Sequence, residues 1–284
     1  MSALGFIGLG VMGEPMCRNL AQKSGRTVIA RDLRPEPLER LKSHGVEAGD
    51  PATCDTIFLS LPGGPELEKV AGALLAKARQ GQTIVDLTTA PVGLTRELAA
   101  KAEAKGVAWA DAPVARTRAA AEAGTLSSTV GARDEVFARV EPLLRCFCSD
   151  VTHVGAIGAG QVAKLLNNMV LLETVIALSE ALAIGRRAGV EGARLFDALS
   201  KGSADSFALR NHGMKALVPG QFPERAFPAT YMLKDLSYAL ELAEQNGLSL
   251  RNAKLAGDLL RETIATGHGE EYWPTILHAI DTEL

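Results

Sequence analysis

Short apolar runs alternate with helical patterns through the first half of the chain. Leu4–Ile7, Thr27–Ala30, Thr56–Leu61, Thr83–Leu87 and Val107–Ala110 read as strands, and Val11–Lys23, Pro65–Arg79 and Val92–Lys105 between them read as helices. Strands of this length alternating with amphipathic helices predict a mostly parallel sheet covered on both faces. Leu126–Val130 and Asp150–Val154 flank a helical pattern near Glu135–Leu144 and predict added edge strands. The pattern changes at Gly155-Ala156-Ile157-Gly158-Ala159-Gly160, after which one proline-free helix runs from about Gln161 to Ala188. At ~1.5 Å per residue it is roughly 40 Å long, enough to serve as a spine. Its run Met169–Ile184 is apolar on most sides, but Glu173 and Glu180 interrupt it, so a buried helix is expected rather than a membrane span. Ala193–Ser200, Phe207–Leu217, Thr230–Asn246, Asn252–Thr266 and Trp273–Thr282 all read as helices. The expectation is an α/β N-terminal domain, residues 1–157, and an all-α domain, residues 158–284, joined by the long helix.

A length of 284 residues agrees with two domains at about 150 residues each. With 47% hydrophobic and 22% charged residues, the composition fits an ordinary globular protein and excludes a disordered chain. A net charge of −3 and the lack of any basic block argue against nucleic acid or an anionic membrane as partner, which leaves a small molecule. Cys17, Cys54, Cys146 and Cys148 form no CxxC pair and read as reduced, buried thiols. No basic segment precedes the first apolar run, so the N-terminus reads as a strand rather than a signal peptide, and a cytoplasmic protein is expected. The five histidines show no pairing at metal-ligand spacing, so no metal is expected and each histidine reads as structural.

Gly8-Leu9-Gly10-Val11-Met12-Gly13 follows a predicted strand and opens a predicted helix. In such a turn the first glycine permits the bend, the second lets a pyrophosphate approach the backbone and the third allows close helix packing. Asp32 follows at the end of the second strand, about 20 residues on, as a dinucleotide-binding fingerprint requires. An acid there accepts hydrogen bonds from a ribose diol and repels a 2′-phosphate, which favours NAD. Arg31 and Arg34 flank it and keep NADP open.

Further along, Lys164, Asn167 and Asn168 stand at i, i+3 and i+4, so on the long helix they share a face. Near the positive end of a helix, and partly buried, a lysine is a poor place for a fixed charge and suits acid–base use.

Four ordered segments resemble the β-hydroxyacid dehydrogenases, the family of 3-hydroxyisobutyrate dehydrogenase and tartronate semialdehyde reductase. They are Gly8-Leu9-Gly10-Val11-Met12-Gly13-Glu14-Pro15-Met16; Asp111-Ala112-Pro113-Val114 with Gly124-Thr125-Leu126; Gly160-Gln161-Val162-Ala163-Lys164-Leu165-Leu166-Asn167-Asn168; and Lys234-Asp235-Leu236. The resemblance implies a Rossmann-like domain, a long interdomain helix and a helical second domain. It further implies hydride transfer between NAD(H) and a small acidic 3-hydroxyacid or its semialdehyde. Lys164 would exchange the proton, Asn167 and Asn168 would orient substrate, Leu61 and Pro62 would lie against the cofactor, and Thr89 and Lys234 would line its nicotinamide end. The register is open by one residue, because Thr88-Thr89-Ala90-Pro91 stands where relatives have Ser-Thr and one more residue before the proline.

One segment departs from the pattern. Relatives carry Ser-Gly-Gly after Asp-Ala-Pro-Val to receive the substrate's acid group, whereas this chain has Ala115-Arg116-Thr117 and resembles the Gly-Arg-Thr variant of sulfolactaldehyde reductases. A guanidinium fork suits carboxylate or sulfonate, so Arg116 and Thr117 are candidate substrate contacts, against a solvated arginine in a loop that also holds Arg118. Two alternatives accompany the main reading: a sulfolactaldehyde or other short-chain semialdehyde reductase, and a non-catalytic dinucleotide-binding interaction module, in which Lys164 would be lost. So much apolar helical surface is easiest to bury against another copy, so a homodimer or homotetramer is expected.

Overall fold

The computed structural model describes residues 2–224 and 226–281. The chain divides into two compact units, Met1–Lys164 and Leu165–Leu284.

The first unit begins with β1 (Leu4–Ile7), α1 (Gly13–Lys23), β2 (Val28–Arg31), α2 (Glu36–Lys42) and β3 (Val46–Ala48). A short 3₁₀ turn leads to β4 (Thr56–Leu59), α3 (Gly64–Lys77), β5 (Thr83–Asp86), α4 (Val92–Glu103) and β6 (Ala108–Asp111). Next come β7 (Val114–Ala115), α5 (Arg118–Ala123), β8 (Leu126–Gly131), α6 (Asp134–Leu144) and β9 (Cys148–Gly155), and then the start of α7 (Ala159–Arg187). The first six strands are parallel in the order β3-β2-β1-β4-β5-β6, which is the dinucleotide-binding order with its reversal between β1 and β4. On the far side β8 runs antiparallel to β6 and β7, and β9 pairs parallel with β8.

Both faces of the sheet are covered, which is why the strands read as continuous apolar runs. Leu4, Phe6, Val28, Phe58, Val85 and Phe147 fill one face, while Ile57, Leu59, Ile84, Leu98 and Trp109 fill the other. Phe6 and Phe58 are register partners on β1 and β4, and their rings stack with centroids 6.0 Å apart. All four cysteines are free and buried.

In the second unit, the rest of α7 is followed by α8 (Gly192–Leu199), a π-helical turn (Leu209–Leu217), α9 (Ala229–Gln245) and α10 (Arg251–Thr263). The predicted helix that ends at Thr266 stops at Thr263 and passes into a π turn, Ile264–His268, because Gly267 takes φ +98°. The last predicted helix splits into a 3₁₀ turn, Trp273–Ile276, and α11 (Leu277–Ile280); its expected end at Thr282 lies outside the described residues. By length and composition alone α7 could cross a bilayer, but Leu172, Val175, Leu178 and Leu182 join this unit's core with Phe196, Met232, Leu260 and Trp273.

At the ends of β5 and β6, Asp86 and Asp111 are register partners and both fully buried. Asp86 Oδ1 accepts the Thr88 N–H at 2.9 Å, while its Oδ2 has no hydrogen-bond partner among the described residues. Burial pushes the Asp86 carboxyl up to about 7 and that of Asp111 to about 6. The folded chain therefore holds protons that the unfolded chain releases, so the stability these acids contribute is present below the ordinary carboxylate range and is lost as pH rises to about 7. Asp86→Asn mimics the protonated acid and keeps an acceptor for Thr88. The expected outcome is a flatter fall of the thermal midpoint between roughly pH 4 and 7, with about 1 kcal/mol or more gained at the alkaline end. A fall as steep as in the parent chain would rule out a neutral Asp86.

Candidate functional site

In the first unit the glycine turn sits after β1, at the strand-order reversal. Gly8 takes φ +95°, and a Cβ there would lie 2.1 Å from the Ser60 carbonyl oxygen. A Cβ on Gly13 would lie 2.0 Å from the Gly8 oxygen. The fold itself therefore demands both glycines. Around Gly10, by contrast, an added Cβ meets nothing within 4 Å. A position that is open in the protein, yet glycine in a turn heading α1, fits the close approach of a pyrophosphate to the backbone. Beside it Leu9 is buried, Val11 is exposed and Met12 leads into α1.

Asp32, just after β2, clamps this turn. Its carboxylate accepts the N–H of Leu9 and, at 2.9 Å, that of Arg34, whose Nε lies 3.5 Å away. Leu61 and Pro62 follow β4, and Leu61 lies against the turn, its Cδ2 3.3 Å from the Cβ that Gly8 lacks. The Leu61 N–H donates to Thr88 Oγ1 at 3.1 Å. Thr88 is buried and committed to this frame, whereas Thr89 is only half-buried, which favours Thr89 as the threonine that faces a ligand.

The head of α7 is built by residues that sequence reasoning did not nominate. Asp111 accepts the N–H of Gly158 at 2.7 Å and that of Gln161 at 2.9 Å. The buried Gln161 side chain donates to the Thr88 carbonyl at 2.6 Å and accepts the Ala90 N–H at 3.1 Å. Lys164, half-buried, stands three residues further along the same helix. Gln161 and Asp111 both lie within the quoted motifs, but only the fold shows that Asp111 holds the helix head to the end of β6 and Gln161 holds it to the loop after β5.

Arg116 departs from its expected role as an open anion receptor. Its guanidinium donates to Asp150 and Ser149 at 2.7 Å each and to the Thr125 carbonyl at 2.6 Å, so the fork is committed within the unit. Thr117 accepts the Ala120 N–H at 3.3 Å and caps α5. Arg118 pairs with Glu122.

In the second unit Asn167 donates to Asn168 at 3.1 Å, and the buried Asn168 donates to Asp235 at 2.7 Å. Lys234 Nζ lies 3.2 Å from Asp235 Oδ1 and 5.1 Å from the Tyr231 ring centre. Two nominated residues, Asn168 and Lys234, thus meet at Asp235, which sequence reasoning passed over although it is the acid beside Lys234 in the quoted motif.

Comparison with known proteins agrees with this geometry. Residues 3–155 match the NAD-binding domain of 6-phosphogluconate dehydrogenase, and residues 158–279 match the NAD-binding domain of NADP-dependent 3-hydroxyisobutyrate dehydrogenase. The chain belongs to the β-hydroxyacid dehydrogenase family. It is 34% identical to 2-(hydroxymethyl)glutarate dehydrogenase of Eubacterium barkeri over 94% of this chain and 91% of that protein. Identity to 2-hydroxy-3-oxopropionate reductase of Escherichia coli is 32% over 98% and 97%. The structure of Mycobacterium tuberculosis 3-hydroxyisobutyrate dehydrogenase with L-serine superposes with a TM-score of 0.90 at 29% identity, covering 99% of both chains. The enzyme is therefore an NAD(P)-dependent oxidoreductase that acts on a CH–OH group.

The three glycines separate fold from cofactor binding. Gly10→Ala is expected to leave the unfolding midpoint within about 2 °C of the parent and to weaken cofactor binding at least tenfold, ~1.4 kcal/mol. Gly13→Ala is expected to lower the midpoint as well, because its Cβ meets backbone. Calorimetric titration and thermal melts read both, and unchanged cofactor affinity in Gly10→Ala would exclude this turn as the pyrophosphate cradle.

Proposed function

We propose that the enzyme oxidises a primary alcohol of the form HOCH2–CHR–COO⁻ to its semialdehyde, or runs the reverse, with NAD preferred over NADP. The names of the relatives support the substrate class. 2-(Hydroxymethyl)glutarate and 3-hydroxyisobutyrate are both this skeleton with different R groups, 2-hydroxy-3-oxopropionate is its aldehyde form, and the L-serine seen with the mycobacterial protein is again HOCH2–CHR–COO⁻. With the Arg116 fork closed on Asp150, nothing in that loop favours a sulfonate over a carboxylate.

The observation that carries the reading is the pinned head of α7, which gives Lys164 a fixed place relative to the loop after β5. When bound, the nicotinamide accepts or returns the hydride. Lys164, as the neutral amine, takes the alcohol proton as the carbonyl forms, and as the ammonium it returns that proton in reduction. Asn167 and Asn168 stand at i+3 and i+4 from the lysine, are held by the amide chain through Asp235, and in this reading orient the substrate.

A screen of HOCH2–CHR–COO⁻ acids, read by NADH absorbance, tests the class; turnover only of secondary alcohols would sink it. Lys164→Ala is expected to lower kcat about 100-fold or more with cofactor affinity unchanged. Near-parental turnover in that variant would remove the lysine from proton transfer. The preference for NAD is expected to reach at least tenfold in kcat/KM, about 1.4 kcal/mol, resting on Asp32. A measured preference for NADP would instead make Arg34 the ligand of the 2′-phosphate.

A further inference from the structure

Three side chains of the second unit converge although no sequence spacing announces it. His268 closes the π turn after α10, Glu271 follows it closely, and His278 sits on α11. Their ligand atoms all lie within 4.8 Å of one another, and all three residues are half-buried. His268 Nδ1 and Glu271 Oε1 are 3.0 Å apart, and the two imidazoles lie nearly parallel at 20° with centroids 4.6 Å apart. The cluster is braced from outside: Thr275 Oγ1 donates to Glu271 Oε2 at 2.7 Å, and the Phe222 ring meets His278 edge-on at 5.6 Å.

Two imidazoles and a carboxylate, with no thiolate, form a donor set for the late first-row divalent ions; calcium and magnesium prefer all-oxygen shells. We propose that His268, Glu271 and His278 bind one such cation, zinc, nickel or cobalt, per chain. Bonds of about 2.0–2.2 Å in a tetrahedral shell place neighbouring ligand atoms roughly 3.3 Å apart. His268 and Glu271 already meet that spacing. The ion would tie the turn after α10 to α11 and so stabilise the helical unit.

The test uses the full chain without an affinity tag, stripped with a chelator and titrated calorimetrically with Zn²⁺ and, separately, Co²⁺. The expected result is one equivalent bound with a dissociation constant of about 10 µM or tighter, and an unfolding midpoint raised by about 5 °C at saturation. Cobalt should add visible ligand-field absorption. Glu271→Gln and His278→Asn are each expected to weaken binding at least tenfold while keeping the circular dichroism of the metal-free parent. Glu271→Gln, nearly isosteric, carries the comparison alone if the histidine variant does not fold. Absence of saturable binding, or equal affinity in parent and Glu271→Gln, would overturn the proposal.

Discussion

The Asp111 carboxylate, buried at the end of β6, takes the first N–H groups of α7 and so decides where the long helix begins and how it leaves the sheet. Removing a carboxylate from water is costly; bonds from backbone N–H groups at the positive end of a helix offset that cost. The surroundings are shaped to allow it. A Cβ on Gly131 would stand 2.6 Å from one Asp111 carboxylate oxygen, and one on Gly160 would stand 2.8 Å from the other. Two glycines far apart in sequence thus serve one acid, and through Gln161 that acid governs the approach of Lys164.

The remaining parts of the first unit's site follow from the same architecture. Parallel strands all end on one edge, so the segments after β1, β2, β4, β5 and β6 collect there. The turn at Gly8, the acid Asp32, the Leu61 loop and the Thr88 loop are then linked by short bonds: Leu9 to Asp32, Leu61 to Thr88 and Gln161 to Thr88. This is a mutually braced frame rather than a set of independent loops.

The long elements were legible in the sequence because their periodicity is strong. All five predicted core strands occur within two residues of their expected bounds, and the GxGxxG turn sits where its spacing demands. The short elements were not: β3 buries only Val46, and β7 is two residues long, too little for an alternation to register. Site residues defined by chemistry that any sequence displays, such as Asp32 and Lys164, were nominated, while Asp111, Gln161 and Asp235 act through bonds to backbone or amide groups distant in the chain. His268 and His278 meet across the turns between α10 and α11, a geometry that spacing does not encode. For Arg116, the residue type was read correctly and its partner, 34 positions away, was invisible.

Arg116 is the only described non-glycine residue with a positive φ, +85°. A backbone shape that glycine adopts freely costs an arginine about 1 kcal/mol or more, and here the side chain's grip on Asp150 and Ser149 offsets that strain. Asp150 is 57% exposed in its side chain and Arg116 37%, so counter-ions screen their attraction. In this chain the form of the loop between β7 and α5 therefore depends on ionic strength, a dependence that a loop shaped by glycine alone does not have.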